Sequence, residues 1–210
     1  MKLPEPSGGS YELCPSGNHL AVCNRVIDLG TQRVEYEGQV KMQRKIYIGW
    51  VIPAELMEDG RPFGIGKRYT FSTHEKSAMR KDLESWRGKA FKPEELGVNG
   101  TFEIQNLINK GCFLSVVHVT REQKTFANIS AVASLPKGMT APTGDWDAGF
   151  LSLDEAEFDV NMFDAMSDKM KETIASSPEY KALSHAGGSL KSYSGVPNAA
   201  VYDQDNEIPF

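Results

Sequence analysis

From His19 to about Leu135 the chain reads as a series of short β-rich runs interrupted by one well-marked helix, and this pattern limits the fold more than any other feature. The candidate strands are Leu20–Leu29, Val40–Ile52, Ile65–Ser72, Thr101–Ile104, Cys112–Thr120 and Thr125–Leu135. They are rich in Val, Ile, Tyr, Phe and Trp, which fit a pleated, half-buried surface. Asp59-Gly60 and Asn99-Gly100 are turn signals between them. Ser72-Thr73-His74-Glu75 reads as a capping box that starts a helix, with Ser72 as N-cap. Gly88 should stop that helix at about Trp86 or Arg87. Met79, Leu83 and Trp86 fall on one stripe at 100° per residue and should face the core. About five short strands with a helix midway match a mainly β fold, a small Greek-key barrel of OB type. An SH3-like barrel or another small β-sandwich would give a similar pattern.

The flanking segments differ in composition. Residues 1–18, rich in Pro, Gly and Ser, read as an irregular N-terminal arm. Residues 19–180 form the expected OB-type domain with a C-terminal helical extension. In that extension Phe163, Met166, Met170 and Ile174 recur at helical spacing, and Ser177-Pro178 should close the helix. Residues 181–202 read as a flexible linker, Gly-, Ser-, Ala- and Asn-rich from Ser184 on and spanning an r.m.s. distance of roughly 25 Å. Residues 203–210 complete a disordered acidic tail. With 210 residues and an apolar fraction of 40%, the chain has enough for one real core with extensions. No apolar run is long enough for a membrane span, and Met1–Pro6 lacks the apolar stretch of a signal peptide. Cys14, Cys23 and Cys112 fit a reducing cytoplasm better than a disulfide scaffold.

Charge is divided unevenly. Residues 1–140 hold 19 Lys and Arg against 15 Asp and Glu, a net of +4; residues 141–210 hold 4 against 13, a net of −9, which together give the overall −5. A basic body with an acidic tail is the layout of a chain whose body binds a polyanion while its tail binds something else. The cations are interleaved with aromatics. Lys41, Arg44, Lys45 and Tyr47 lie on the second strand, Lys67, Arg68, Tyr69 and Phe71 on the third, and Lys76, Arg80, Arg87 and Lys89 on or after the helix. Alternation assigns Ile46, Ile48 and Trp50 to the core. Lys45 and Tyr47 should then point to an open face, and Lys67, Tyr69 and Phe71 should share a face in the same manner. There a base can stack and a phosphate can pair, as in a sequence-tolerant single-strand groove. Lys76, Arg80 and Arg87 should form a row along one edge of the helix.

Other chemistry finds little support. Cys14-x4-His19-x3-Cys23 matches no common zinc module, so neither metal nor cofactor is expected. No nucleophile or zincin motif occurs, and Gly64-Ile-Gly66-Lys67 lacks the spacing of a phosphate loop. Asp145, Asp147, Asp154, Glu155, Glu157 and Asp159 could hold Mg²⁺ in a nuclease, but they sit in a low-complexity acidic stretch that reads as a solvated loop.

The last residues, Asp203-Gln204-Asp205-Asn206-Glu207-Ile208-Pro209-Phe210, suit docking. An apolar hole would take the Phe210 ring and an Arg or Lys its carboxylate, while Asp203, Asp205 and Glu207 steer the tip to a basic rim. Pro209 limits the freedom lost on docking. This tip, with Ile208, Pro209 and Phe210 at its end, closely resembles the C-terminal tip of bacterial single-stranded DNA-binding proteins, usually Asp-Asp-Asp-Ile-Pro-Phe. The resemblance covers about six residues and implies recruitment of replication, repair and recombination enzymes. Val26–Gly30 and Arg68–Lys89 are also similar to segments of phage-encoded replication-associated proteins with an OB-type domain, a likeness that would span about residues 10–180. It implies a virus-encoded protein working in a bacterial cytoplasm. Taken with the charge layout, the interleaved aromatics and the tip, the expected function is a non-enzymatic single-stranded DNA-binding protein. The alternatives are an adaptor or inhibitor that mimics the tail without binding DNA, and a metal-dependent nuclease. Oligomeric state is not legible in the sequence.

Overall fold

The computed structural model describes residues 12–36, 38–154 and 156–186. The expected arm over residues 1–11, the linker from residue 187 and the docking tip lie outside the described residues. Six strands are present: β1 (Gly17–Tyr36), β2 (Gln39–Leu56), β3 (Pro62–Thr70), β4 (Gly111–Arg121), β5 (Lys124–Ala133) and β6 (Gly149–Leu151). Helix α1 (Ala78–Arg87) stands between β3 and β4, and α2 (Val160–Asp164), α3 (Asp168–Ala175) and α4 (Pro178–Ala186) follow β6.

The sheet order is β3-β2-β1-β4-β5, antiparallel throughout, with β6 added parallel to β1. β1 is long enough to serve two partners. Its first part pairs with β4, from Gly17 opposite Val116 to Val22 opposite Gly111, and the remainder pairs with β2 as far as Tyr36 opposite Gln39. β3 comes beside β5, and α1 packs against both. This strand order, with a helix between β3 and β4, makes a mainly β fold of the small, partly open OB-type barrel.

Alternation along β2 sends Ile46, Ile48, Trp50 and Ile52 inward to a core with Ala21, Cys23, Val26, Leu114 and Val132. Met79, Leu83 and Trp86 of α1 join that core, as their common stripe predicts. Trp86 lies 5.7 Å from Trp50, centroid to centroid, and its indole N–H donates to the Gly111 carbonyl at 2.8 Å. A second core lies on the outer face of β1: Ile27, Leu29 and Leu151 pack against Phe163, Ile174, Tyr180 and Leu183 of the C-terminal helices.

Several expectations are corrected. Helix α1 begins later than the capping box suggests, because Ser77 is its N-cap and its hydroxyl accepts from the Arg80 amide at 3.2 Å. Ser72 instead closes a local turn, accepting from the His74 amide. Gly88 does end α1, in the left-handed region at φ 68°. Thr101–Ile104 is not a strand; Phe102 packs edge-on against Phe91, and a 3-10 turn follows over Ile104–Leu107. The expected single C-terminal helix is three short ones. Asp159 caps α2 by accepting from the Asn161 and Met162 amides, and the chain breaks again before Ser167. Pro178 does not end the helical region but opens α4, where proline's missing N–H costs nothing. Residues 181–186, assigned to the linker by composition, are the end of α4. β1 starts at Gly17, inside the expected arm. No helix among the described residues is long and apolar enough to cross a membrane.

Candidate nucleic-acid interface

The cations and aromatics singled out in the sequence do not form one open groove. On β3 the alternation runs opposite to expectation. Phe63, Ile65 and Tyr69 belong to the barrel core, and Tyr69 is only 2% exposed. Its hydroxyl donates to Asp82 Oδ2 at 2.8 Å, and the same oxygen takes Lys67 Nζ at 2.8 Å. Lys67 also lies 5.1 Å from the centre of the Tyr69 ring. These two residues therefore tie β3 to α1 rather than offer a stacking platform. On β2, Lys45 and Tyr47 do point away from the barrel interior, but that side is covered. Lys45 is 5% exposed, with its ammonium 3.0 Å from Thr70 Oγ1, and Tyr47 packs against the second core.

The expected row of cations along α1 is largely taken up by carboxylates. Lys76 precedes the helix. Arg80 Nε pairs with Glu84 at 2.9 Å. Arg87 pairs with Glu95 and lays its guanidinium over Phe91, 4.1 Å from the ring centre. The Phe91 amide and the Arg80 guanidinium hold the Glu84 carboxyl below its ordinary value, and Arg87 with the Lys92 amide does the same for Glu95. Lys41, Arg68, Lys76 and Lys89 make no ion pair with any described residue. Arg68 borders a cleft of about 30 Å³ with Leu29, Gln32, Val34, Lys45 and Thr173, which has room for little more than a water molecule.

One face does combine cation and apolar surface in the open. Beyond Gly30 and Lys45, β1 and β2 run on as a two-stranded arm past the ends of β4 and β3. Alternation places Val40, Met42 and Arg44 on the same side of the arm, with Glu35, Arg33 and Thr31 directly opposite them on β1. Phe71 follows β3, and its amide donates to the Arg44 carbonyl at 2.7 Å. Its ring lies 5.9 Å from the Arg44 guanidinium carbon. Val40, Met42 and Phe71 are 49%, 59% and 44% exposed. Arg44 is braced by Asp28 through contacts of 3.3 and 2.5 Å, which raise its pKa further. A guanidinium fixed in this manner keeps one orientation beside an exposed ring. That is the arrangement in which a base stacks and a phosphate pairs.

Of the residues chosen from sequence, Arg44 and Phe71 are thus brought together, and Lys41 lies on the same arm facing the opposite side. Val40, Met42 and Arg33 were missed. The alternation Thr31-Arg33-Glu35 and Val40-Met42-Arg44 could have revealed them, had β1 been carried to the turn at Gly38 rather than stopped at Leu29. No metal-holding group of His, Cys, Asp or Glu occurs among the described residues. Of the acidic residues named above, Asp147 pairs with Arg25 and Asp159 caps α2, while Glu155 lies outside the described residues. Neither a protein-family model nor a curated protein sequence matches this chain.

Proposed function

We propose that this chain is a single-stranded DNA-binding protein, without catalytic activity, that covers exposed strands with little sequence preference. The observation that carries the reading is the arm of the OB-type barrel, where exposed Phe71, Met42 and Val40 stand beside the braced guanidinium of Arg44. OB-type barrels hold single strands by aromatic stacking with basic residues along the backbone path. The basic body and acidic C-terminal part fit the same division of labour. The tip Asp203, Asp205, Glu207, Ile208, Pro209 and Phe210 would recruit replication, repair or recombination enzymes, as its likeness to bacterial single-stranded DNA-binding proteins suggests. A phage-encoded protein acting in the host cytoplasm fits these features.

Titration of a labelled oligo-dT and of a matching duplex tests this. The single strand should bind more tightly, with log K falling against log salt at a slope of about −2 to −4, set by a few phosphate contacts. No binding of oligo-dT at low salt would sink the proposal. A second reading is favoured by one observation: Arg44, Lys67, Arg80 and Arg87 are already engaged by carboxylates. Under that reading the chain is an adaptor or inhibitor whose tip occupies docking pockets while its body binds no DNA. The same titration separates the two.

A further inference from the structure

We infer that the free edge of the β1–β2 arm pairs with the same edge of a second copy of this chain, about a two-fold axis through Val34. β4 leaves β1 at Val22, and β6 covers only Arg25–Ile27. Past the irregularity at Asp28 and Gly30, the register with β2 continues unbroken to Tyr36. The Thr31 amide bonds Glu179 Oε2 at 2.8 Å, not β2, and the Arg44 carbonyl opposite takes the Phe71 amide. Thr31 and Arg44 are therefore a non-hydrogen-bonded pair whose main-chain groups point outward. With a period of two, the same holds for Arg33 and Glu35. Among the described residues no strand pairs with their outward amides and carbonyls, and Glu179 blocks only the near end of this edge. An unpaired edge of this type is a ready template for another strand.

Charge selects the occupant. Antiparallel pairing centred on Val34 sets Arg33 of one copy opposite Glu35 of the other, twice. Arg33 and Glu35 are each more than half exposed and now share only a long contact of 3.7 Å along their own strand. Each would gain a cross-strand partner of opposite sign together with a reciprocal pair of main-chain bonds. The arm's other edge lacks this property, because a two-fold axis on β2 at Lys41 sets Lys41 against Lys41 of the second copy. The axis stands perpendicular to the sheet, so both arms present Arg33, Met42 and Arg44 on the same side. That a strand of DNA would follow this joined surface rests on the reading in the previous subsection; the pairing itself does not.

Sedimentation velocity of the full chain without DNA, from about 1 to about 200 µM, provides the test. The weight-average mass should rise from 23.2 kDa toward twice that value. Arg33→Glu should weaken association at least tenfold, and so should Arg33→Pro, which removes an amide that faces away from β2 and has no partner among the described residues. The exchange Arg33→Glu with Glu35→Arg should restore it. A monomer at every concentration, a dimer indifferent to Arg33→Glu, or no recovery on exchange each overturns the inference. Failure of the parent chain to bind oligo-dT while it still dimerises would instead count against the DNA reading alone.

Discussion

Phe71 and Tyr69 lie two residues apart and have opposite environments, which gives them separable roles. Phe71 is exposed beside Arg44, whereas Tyr69 is buried with its hydroxyl on Asp82. Phe71→Ala should lower affinity for oligo-dT by roughly 5- to 150-fold, equal to about 1–3 kcal/mol per stacked base, and leave the melting temperature nearly unchanged. Tyr69→Phe should do the reverse, removing about 1–3 kcal/mol of stability by depriving a charged acceptor of its bond while affinity holds. Fluorescence anisotropy and thermal melts on the two variants decide the matter; an affinity loss confined to Tyr69→Phe would reverse the assignment. The cysteines are likewise settled by environment. Burial pushes the Cys14 thiol up to about 11 and the Cys23 thiol up to about 12, and it raises Cys112 further still. Only the thiolate is nucleophilic. A disulfide reagent at pH 8 should therefore leave all three untouched in the native chain and titrate all three in guanidinium.

At the scale of elements, α4 is fastened to the arm's root by a side chain whose role no sequence pattern announces. Glu179 accepts from the Thr31 amide at 2.8 Å and from its hydroxyl at 2.5 Å. Gly30, at φ 68°, leaves room for Ser177, whose Cβ would lie 2.4 Å from any Cβ placed there. Partial burial pulls the Glu179 pKa up, but the Thr31 bonds outweigh it and the net shift is downward. A carboxylate lowered by folding stabilises the native state above its unfolded value of 4.5 and ceases to do so as pH falls through its folded value. Glu179→Ala should cost about 1–3 kcal/mol at pH 7, because Thr31 loses its acceptors. The cost should shrink in melts run progressively below pH 4.5; an unchanged gap at pH 2 would refute the clamp. The same contrast explains what was legible. Alternation in β2 and the Met79-Leu83-Trp86 stripe are local and periodic, so the sequence reveals them. Ser77 displacing Ser72 as cap, and the pairing of Arg80 with Glu84 and Arg87 with Glu95, depend on which of several equivalent residues tertiary packing brings into reach. The inversion of β3 has the same origin: Asp82 on α1 draws Lys67 and Tyr69 inward, although their spacing is equally suited to an open face.

Across the whole molecule, two cores share β1, and this division assigns its two surfaces to different tasks. The barrel core is closed by α1, while the outer side of β1 is buried under α2, α3 and α4. The sequence expectation that Tyr47 and Lys45 hold DNA requires that outer side to be free, yet the C-terminal helices occupy it. Under the proposed function, binding is therefore left to the arm, which runs on past the ends of β3 and β4. Substitutions under the helices should therefore be read in stability and those on the arm in affinity. Ile174 is fully buried between α3 and the sheet, so Ile174→Ala should cost about 2–5 kcal/mol through lost burial and the cavity left behind. Tyr47→Ala should also destabilise, since its ring packs on the same core. Both variants, assayed well below their melting temperatures, should bind oligo-dT within about twofold of the parent chain. Urea unfolding followed by tryptophan fluorescence, with anisotropy on the same samples, gives both readouts. If Tyr47→Ala removed binding while folding stayed intact, the outer face of the barrel and not the arm would be where the strand lies.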